Sequence, residues 1–481
     1  MSKRAHVGTA AEELGGADLG DRRRTERLRV IAGQLEAEPA KSFPRATGSD
    51  AALEAFYRFI NNDAFTAADI VAPHIASTLK RAATAGSVIA VHDTTHVNYG
   101  AAREDLGPTT GKHHFGFIAH TVLLLGEEDG LPVGVAHIET FRRTGTKWRK
   151  RKREGQRMRV HAHDKTRESL RWLRSLDAVE SVKQGHFDVI HVTDAEGDFF
   201  ELLASSSARA ARFVIRAGQL DRVVSSAGDT YSLRQVADKI VPGAWRQIEL
   251  SERKHPRRAN ITSRRRHPDR SARTAELAIG AARIELDKTR YSGVKTAPFE
   301  LTVVRVWEPK PPRGQPAVEW ILLTTEDTSS AAALERIVDI YRKRWMIEEY
   351  FKALKSGCSL EKRQVESYDA LCKVLALFIP IAFRLLLLRG LERTDSKAPA
   401  TKAFSDVDLQ LMANAPSNRA LPVPKTVADA LTHLARLGGH IRNNGKPGWQ
   451  TLAWGYEKLL LMKLGWEIAM AAKHTKKCDQ S

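Results

Sequence analysis

The chain has 481 residues, of which 42% are apolar and 28% charged, and this balance is typical of globular proteins and excludes wholesale disorder. Its formal net charge of +19 favours a polyanionic partner, above all nucleic acid. Three cysteines without a CxxC pair exclude a disulfide scaffold and a cysteine-rich zinc site, and they favour the reducing cytosol.

The first 70 residues predict short amphipathic helices. The opening "MSKRAHVGTAAEELGG" lacks the apolar core of a signal peptide. A helix should begin at Asp21, a good N-cap, with Leu28, Ile31 and Leu35 on one face, and "DAALEAFYRFINND" predicts a second helix. Two interpretations stay open, a small bundle with solvated charges and a DNA-binding module whose arginines face phosphates. Those arginines are Arg23, Arg24, Arg27 and Arg58.

From about residue 87 the pattern changes to that of strands. "SVIAVHDTT", "GFIAHTVLLL" and "LPVGVAHIET" are rich in Val, Ile and Thr and are separated by turns that contain glycine. "FDVIHVTDAEGDFFELL" predicts a buried strand and then a helix that begins near Asp194, and "ARFVIRAG" predicts another strand. Short strands broken by Gly and Pro follow from 220 to about 316. "VEWILLTTE" at 318–326 returns to a buried strand, and after 365 the pattern is helical.

Two stretches are strongly basic. Residues 142–159 hold ten cations and one anion, and residues 252–273 hold nine cations and two anions. Such runs are commonly solvated loops, but like charges at this density repel one another in a compact chain. A polyanionic partner is the alternative explanation for both.

The C-terminal part carries one long apolar run, "VLALFIPIAFRLLLL" at 374–388. Pro380 and Arg384 interrupt it, and it is shorter than the ~20 residues that a bilayer span needs. We therefore predict a buried helix and expect no membrane association. Further on, Leu431, Leu434 and Leu437 form an apolar stripe, which suits either a dimer contact or core packing.

Three acidic residues stand in unusual places. Asp93 ends an apolar strand in "VIAVHDTT", Asp194 ends another in "DVIHVTDAEGD", and Glu348 lies on the helix "YRKRWMIEEYFKALKSG". An acid at the end of a strand can simply cap the next helix, and this alternative stays open for Asp194. Together the three carboxylates predict a site for one or two Mg²⁺ ions. Such ions can activate a nucleophile and stabilise the leaving oxygen in phosphoryl transfer.

The helix that carries Glu348 also carries a polar stripe. At about 100° per residue, four side chains fall within an arc about 60° wide, beside an apolar arc that would face the sheet. These side chains are Tyr341, Arg344, Glu348 and Lys355. An ordinary surface helix with ion pairs is the alternative, but it explains neither the tyrosine nor the two strand-end aspartates. The stripe predicts a metal-binding carboxylate flanked by groups that hold a DNA phosphate.

The spacing Tyr341-x2-Arg344-x3-Glu348-x6-Lys355 matches the YREK signature of bacterial DDE cut-and-paste transposases. The chain resembles their insertion-sequence-four group, which includes the transposon-five transposase. Further similar segments are "LGDRRRTERL", "AFYRFINN", "DTT", "VTDAEGD", "RFVIR", "EWILLTTE" and "RIVDIYRKRWMIEEYFKALKSG".

The resemblance implies an α/β fold with an RNase H-like catalytic core and a metal-binding triad of Asp93, Asp194 and Glu348. A β-rich domain at about 220–316 would be inserted into this core. Helical domains for DNA binding and for dimerisation would flank the core, which gives bounds of 1–72, 73–365 and 366–481. The cofactor would be Mg²⁺, or Mn²⁺ in its place, with two ions bound.

The resemblance also implies a reaction sequence on double-stranded DNA. A homodimer would pair two terminal inverted repeats, nick one strand, form and reopen a hairpin, and join the ends to target DNA. Trp320 would accept a flipped thymine, although a buried strand tryptophan is the alternative, and the neighbouring phosphate would contact Arg216, Tyr341, Arg344 and Lys355. The protein would act in the bacterial cytoplasm, at the nucleoid. A decayed regulator and a structure-specific nuclease remain alternative functions.

Overall fold

The computed structural model describes residues 7–100, 105–109, 114–143, 167–183, 185–254, 268–287, 296–394, 396–418, 421–441 and 447–478. Positions 144–159 and 255–267 of the two basic stretches lie outside the described residues. The interpretation of those stretches therefore stays a prediction.

The N-terminal part is helical. Its helices are α1 (Ala10–Leu14), α2 (Arg22–Ala37), α3 (Phe43–Thr47), α4 (Asp50–Ile60) and α5 (Ala67–Ala85). The predicted N-cap is confirmed, because the Asp21 carboxylate accepts a hydrogen bond from the Arg23 backbone N–H at 2.8 Å. Leu28, Ile31 and Leu35 are buried as the spacing indicates. The predicted domain boundary at 72–73 stays a prediction, and its position lies within α5.

A mixed sheet forms the centre of the molecule. Its first half consists of β1 (Ser87–Asn98), β2 (Gly107–Pro108), β3 (Phe115–Gly126), β4 (Pro132–Phe141), β5 (Asp188–Thr193) and β6 (Arg212–Arg216), with α6 (Leu170–Lys183) and α7 (Phe200–Ala208) between strands. The strands lie in the order β4-β3-β1-β5-β6. β3 is antiparallel to β1 and to β4, whereas β1, β5 and β6 are parallel. This order is consistent with an RNase H-like DDE domain.

The region from 220 to 316 continues this sheet. Its elements are β7 (Val223–Ser226), β8 (Asp229–Ser232), α8 (Leu233–Lys239), β9 (Ala244–Leu250), β10 (Arg273–Leu286) and β11 (Phe299–Trp307). The next strand, β12 (Glu319–Thr324), pairs with β11 on one side and with β6 on the other. The strands of the predicted insertion therefore extend the core sheet, which has twelve strands among the described residues.

The predicted helix at 341–357 is divided in three. Its first residues end α9 (Ala331–Lys343), Arg344 joins α9 to α10 (Trp345–Lys352), and a π-helical turn follows at Ala353–Gly357. A π turn closes on the fifth residue rather than the fourth. Lys355 lies in this turn, so the spacing of 100° per residue no longer describes its direction.

The C-terminal part is helical, as predicted, with α11 (Tyr368–Thr394), α12 (Asp406–Asn414), α13 (Val427–Leu437) and α14 (Trp449–Cys478). Among the described residues, α11 is the one helix whose length and composition would suit a membrane span, and 94% of its apolar window is buried inside the fold. Leu431, Leu434 and Leu437 of α13 are also buried. Core packing explains these three leucines, so the interpretation of them as a dimer surface is wrong.

Candidate active site

Two aspartates lie just beyond the point where the parallel strands β1 and β5 stop pairing with each other. The registered pairing of β1 with β5 ends at Val91 and Val192, so Asp93 and Asp194 each stand two residues beyond the last pair. Asp93 does not end its own strand, contrary to the prediction, because β1 stays paired with β3 as far as Asn98. What ends before Asp93 is the apolar part of β1 and its pairing with β5.

Each aspartate is oriented by a nearby backbone N–H. The Asp93 Oδ1 accepts a hydrogen bond from the Thr94 N–H at 2.7 Å. The Asp194 Oδ1 accepts one from the Glu196 N–H at 2.8 Å and thereby caps the short 3₁₀ turn Ala195–Gly197. The helix predicted to begin near Asp194 begins only at Phe200, so Asp194 caps this turn and not the helix that the sequence predicted it could cap. The cap engages one carboxylate oxygen and is compatible with a second role for the side chain.

Glu348 reaches the same place through Arg344. One guanidinium nitrogen of Arg344 lies 3.4 Å from the Asp93 Oδ2, and another donates to the Glu348 Oε1 at 2.7 Å. Helix α10 packs against β1, which brings the glutamate to the strand ends. We call Asp93, Asp194 and Glu348 the acid cluster.

The carboxylates of the acid cluster influence one another. Burial first, and then the negative charges of Asp194 and Glu348, raise the pKa of Asp93 to about 7, against the opposing effects of the Thr94 N–H and of Arg344. A carboxyl group with a pKa near neutrality is held where its charge is unfavourable. Three acids from distant parts of the sequence therefore converge at a point that calls for positive charge.

An aromatic and cationic group lies beside the acid cluster. The Tyr341 and Trp320 rings lie 5.8 Å apart between centroids, with Tyr341 buried and Trp320 half-buried. Burial raises the pKa of Tyr341, while Arg216, which hydrogen-bonds to it, and Arg344 lower that pKa. The charge of Asp194 also acts on this tyrosine. The structure therefore brings Tyr341, Arg344, Arg216 and Trp320 together near the acids.

Lys355 lies further along β1. Its ammonium group donates to the His96 carbonyl at 2.6 Å and stands 3.4 Å from the Glu361 Oε1.

The sequence reasoning did not single out Trp345, which follows Arg344 directly. This tryptophan is 51% exposed, and the Lys352 ammonium lies 5.1 Å from its ring centroid. The signal was available, since a tryptophan inside the YREK spacing is an unusual residue to leave in solvent.

The predicted DNA-binding arginines of the N-terminal part lie on α2 and α4. Arg23, Arg27 and Arg58 are exposed, and Arg58 stands 3.4 Å from Glu54 on the same helix. Arg24 is half-buried and donates to the Leu19 carbonyl at 2.9 Å. Exposed arginines are free to meet a phosphate, whereas Arg24 also anchors the start of α2.

The acid cluster suits a divalent ion by its chemistry. Carboxylate oxygens are the ligands that Mg²⁺ prefers, and a cation would oppose both burial and the charge of Asp194, which raise the pKa of Asp93. In the described part of the chain, however, no three His, Cys, Asp or Glu side chains are placed so as to hold a metal. Arg344 stands between Asp93 and Glu348 instead. The acid cluster therefore has the ligand chemistry of a divalent-metal site, while in this structure its carboxylates are not arranged around one.

Two family models match the chain. One, described as a transposase DNA-binding domain, matches residues 7–65, and the other, described as a transposase DDE domain, matches residues 207–379. The second range includes Glu348, whereas Asp93 and Asp194 precede it. These matches support a DDE transposase with a DNA-binding domain, and domains of this kind generally use divalent metal ions.

Proposed function

We propose that the protein is a cut-and-paste transposase of the insertion-sequence-four group, which cleaves the ends of its own mobile element in the bacterial cytoplasm. The observation that carries the proposal is the convergence of Asp93, Asp194 and Glu348 beside Arg344. The two family matches supply DNA as the partner.

The acid cluster would hold the cofactor, Mg²⁺ or Mn²⁺, with two ions bound. Divalent ions in such a site activate the attacking oxygen and stabilise the leaving one. The protein's own contribution is placement, since Asp93 and Asp194 each have one oxygen fixed by a backbone N–H. Arg344 would have to give up Asp93 or Glu348 for the ligands to close around a metal.

The cations beside the acid cluster would hold the DNA phosphate. Arg344 and Arg216 are close to Tyr341, and their guanidinium groups suit the paired oxygens of a phosphate. A phosphate offers Arg344 an alternative anion when a metal competes for its carboxylates. Lys355, now bound to the His96 carbonyl, would provide a further point charge.

Trp320 and Tyr341 would receive a base displaced from the duplex when the end is bent into a hairpin. Displacing a base requires a few kcal/mol, and stacking on an aromatic side chain recovers about 1–3 kcal/mol. Trp320 is the second residue of β12, where it pairs with Val306 of β11, and it is half-buried rather than fully buried. This supports a stacking role over that of a fully buried core tryptophan.

The terminal inverted repeat would lie against α2 and α4, where Arg23, Arg27 and Arg58 are exposed and Arg24 is nearby. Pairing of two ends requires a dimer with catalysis in trans. For the dimer contact we propose α14, whose residues Leu461, Trp466 and Ile468 are 45%, 40% and 61% exposed. Large apolar side chains left in solvent are typical of a surface that meets a partner.

The proposal is tested by cleavage of labelled DNA that carries the element's own ends. Asp93→Asn and Glu348→Gln should each slow Mg²⁺-dependent nicking on the order of 10³-fold, because several kcal/mol of charge stabilisation are lost. Binding to the ends without metal should not change. Asp339→Asn is the matched control, since this α9 carboxylate pairs with Arg246 on β9. Nicking at the normal rate by either active-site variant would refute the assignment.

A further inference from the structure

Arg171 hydrogen-bonds to the residues that orient Asp93 and Asp194. We infer that Arg171 of α6 is a positioning residue that sets the separation and orientation of Asp93 and Asp194. The inference rests on the proposed function, because it concerns the metal ligands of the same site. Arg171 was not among the residues that the sequence pattern singled out.

The hydrogen bonds around Arg171 form a symmetrical bridge. Its Nε donates to the Thr94 Oγ1 at 2.9 Å, and the Thr94 N–H in turn holds the Asp93 carboxylate. Its Nη2 donates to the Glu196 Oε2 at 2.8 Å, and the Glu196 N–H holds the Asp194 carboxylate. Each aspartate is thus oriented by a residue whose side chain is bound to the same guanidinium.

Arg171 links β1 and β5 beyond the point where the strands stop pairing with each other. The registered β1–β5 pairing ends at Val91 and Val192, two residues before the aspartates. Beyond this point the two carboxylates repel each other, as the effect of Asp194 on the pKa of Asp93 indicates. The positively charged guanidinium of Arg171, bound to Thr94 and Glu196, opposes that repulsion.

Arg171 is itself held firmly. Its Nη1 donates to the Glu168 carbonyl at 2.8 Å, and its guanidinium carbon lies 5.5 Å from the ring centroid of the buried Trp172. The residue is 9% exposed. A guanidinium that is nearly buried and whose three nitrogens all donate within the protein is not available to bind DNA phosphate. Its role is therefore to hold Thr94 and Glu196.

The matched pair of variants is Arg171→Met and Arg174→Met. Arg174 lies one turn further along α6 and binds Glu139 in a surface ion pair, so its loss removes a similar side chain away from the aspartates. Three quantities are measured for each protein: nicking rate against Mg²⁺ concentration, direct Mn²⁺ binding without DNA, and end binding in a chelator. The melting temperature reports folding.

Arg171→Met should lower the nicking rate at saturating Mg²⁺ by about 10–100-fold and weaken Mn²⁺ binding by about tenfold, as is typical when a group that orients metal ligands is removed. End binding and melting temperature should match those of Arg174→Met. Arg171→Lys should recover only part of the loss, since one ammonium replaces a fork that reaches two acceptors. Thr94→Val should move both quantities in the same direction by removing one arm of the bridge.

Unchanged nicking and Mn²⁺ binding in Arg171→Met would overturn the inference. A loss of cleavage that follows the melting temperature and end binding would also overturn it, because that pattern belongs to a structural arginine. If the unaltered protein binds Mn²⁺ but does not cleave, the proposed function fails, and the Mn²⁺ affinity of the Arg171 variants still decides the inference. If it neither cleaves nor binds Mn²⁺, both fail.

Discussion

Two buried glutamates in the N-terminal helices should affect stability with opposite signs. Burial raises the pKa of Glu36 to about 7, against the effects of the Ala10 N–H, which donates to it at 2.8 Å, of Arg384 and of the Tyr456 hydroxyl. Burial also acts to raise the pKa of Glu13, but hydrogen bonds from His74 and Arg81 outweigh it and lower that pKa to about 2. The two pKa values differ because of the hydrogen-bond partners. Glu13 is bound by the His74 imidazole and by the Arg81 guanidinium, each at 2.6 Å.

The sign for Glu36 follows from proton binding. Between its ordinary pKa of 4.5 and the raised value of about 7, the folded state binds more protons than the unfolded state. The stabilisation is therefore greatest at low pH and is lost as the pH rises through 7. For a single group with these two pKa values, linkage gives a loss of about 2–3 kcal/mol between about pH 5 and about pH 8.

Glu36→Gln removes this titration while keeping an oxygen to accept from the Ala10 N–H. The free energy of unfolding of the variant, relative to the unaltered protein, should rise by about 2–3 kcal/mol across that pH interval. Asp93 and other titrating groups that do not act on Glu36 are present in both proteins and cancel in the difference.

Glu13→Gln is the contrasting variant. Its pKa is lowered from 4.5 to about 2, so its stabilisation is fully present above pH 4.5 and is lost only as the pH falls through 2. Its removal should therefore lower the free energy of unfolding by about 3 kcal/mol between about pH 7 and pH 8, above the ordinary pKa of 6.5 of its partner His74, on whose pKa Glu13 also acts.

Urea denaturation followed by tryptophan fluorescence, at constant ionic strength and without divalent metal, measures both effects. Parallel curves for Glu36→Gln and the unaltered protein over the whole pH interval would refute the reasoning about Glu36. A pH-dependent difference for Glu13→Gln between about pH 7 and pH 8 would refute the reasoning about its ion pair.

Three predictions concern DNA. Arg27→Ala should weaken binding to the element's ends and reduce the slope of log affinity against log salt by about one unit; an unchanged slope in a titration of labelled ends would place α2 away from DNA. Trp320→Ala should permit the first nick but slow hairpin formation, because stacking worth about 1–3 kcal/mol is lost. Gel analysis of both products with a melting curve checks this, and equal loss at both steps with a lowered melting temperature would indicate a core residue instead. Trp466→Glu should leave single-end binding intact but abolish paired-end complexes in a mobility-shift assay, and complexes that persist would place the dimer contact outside α14.

Helices and strands could be predicted from the sequence where a few neighbouring residues determine them. Asp21 could be predicted as the N-cap of α2 because it stands directly before an amphipathic segment. Both the cap and the segment can be recognised from neighbouring residues alone. The end of β1 was placed wrongly at Asp93 because its true length depends on β3, which lies more than fifteen residues away along the chain. Helix α8 was missed although Ser232 and Gln235 form a capping box, because the surrounding alternation favoured strands.

In the candidate site, the sequence indicated on which side of the helix a residue lies, but not which distant residue it contacts. Helical spacing placed Arg344 and Glu348 on one side of the helix, and the structure joins them by a hydrogen bond at 2.7 Å. Spacing could not indicate that the same guanidinium reaches Asp93, since that contact spans 251 positions of the chain. Which anion an arginine binds depends on the charges around it, and here three carboxylates converge. A metal and a phosphate would change that balance, so the partner of Arg344 is a property of the bound state as much as of the sequence.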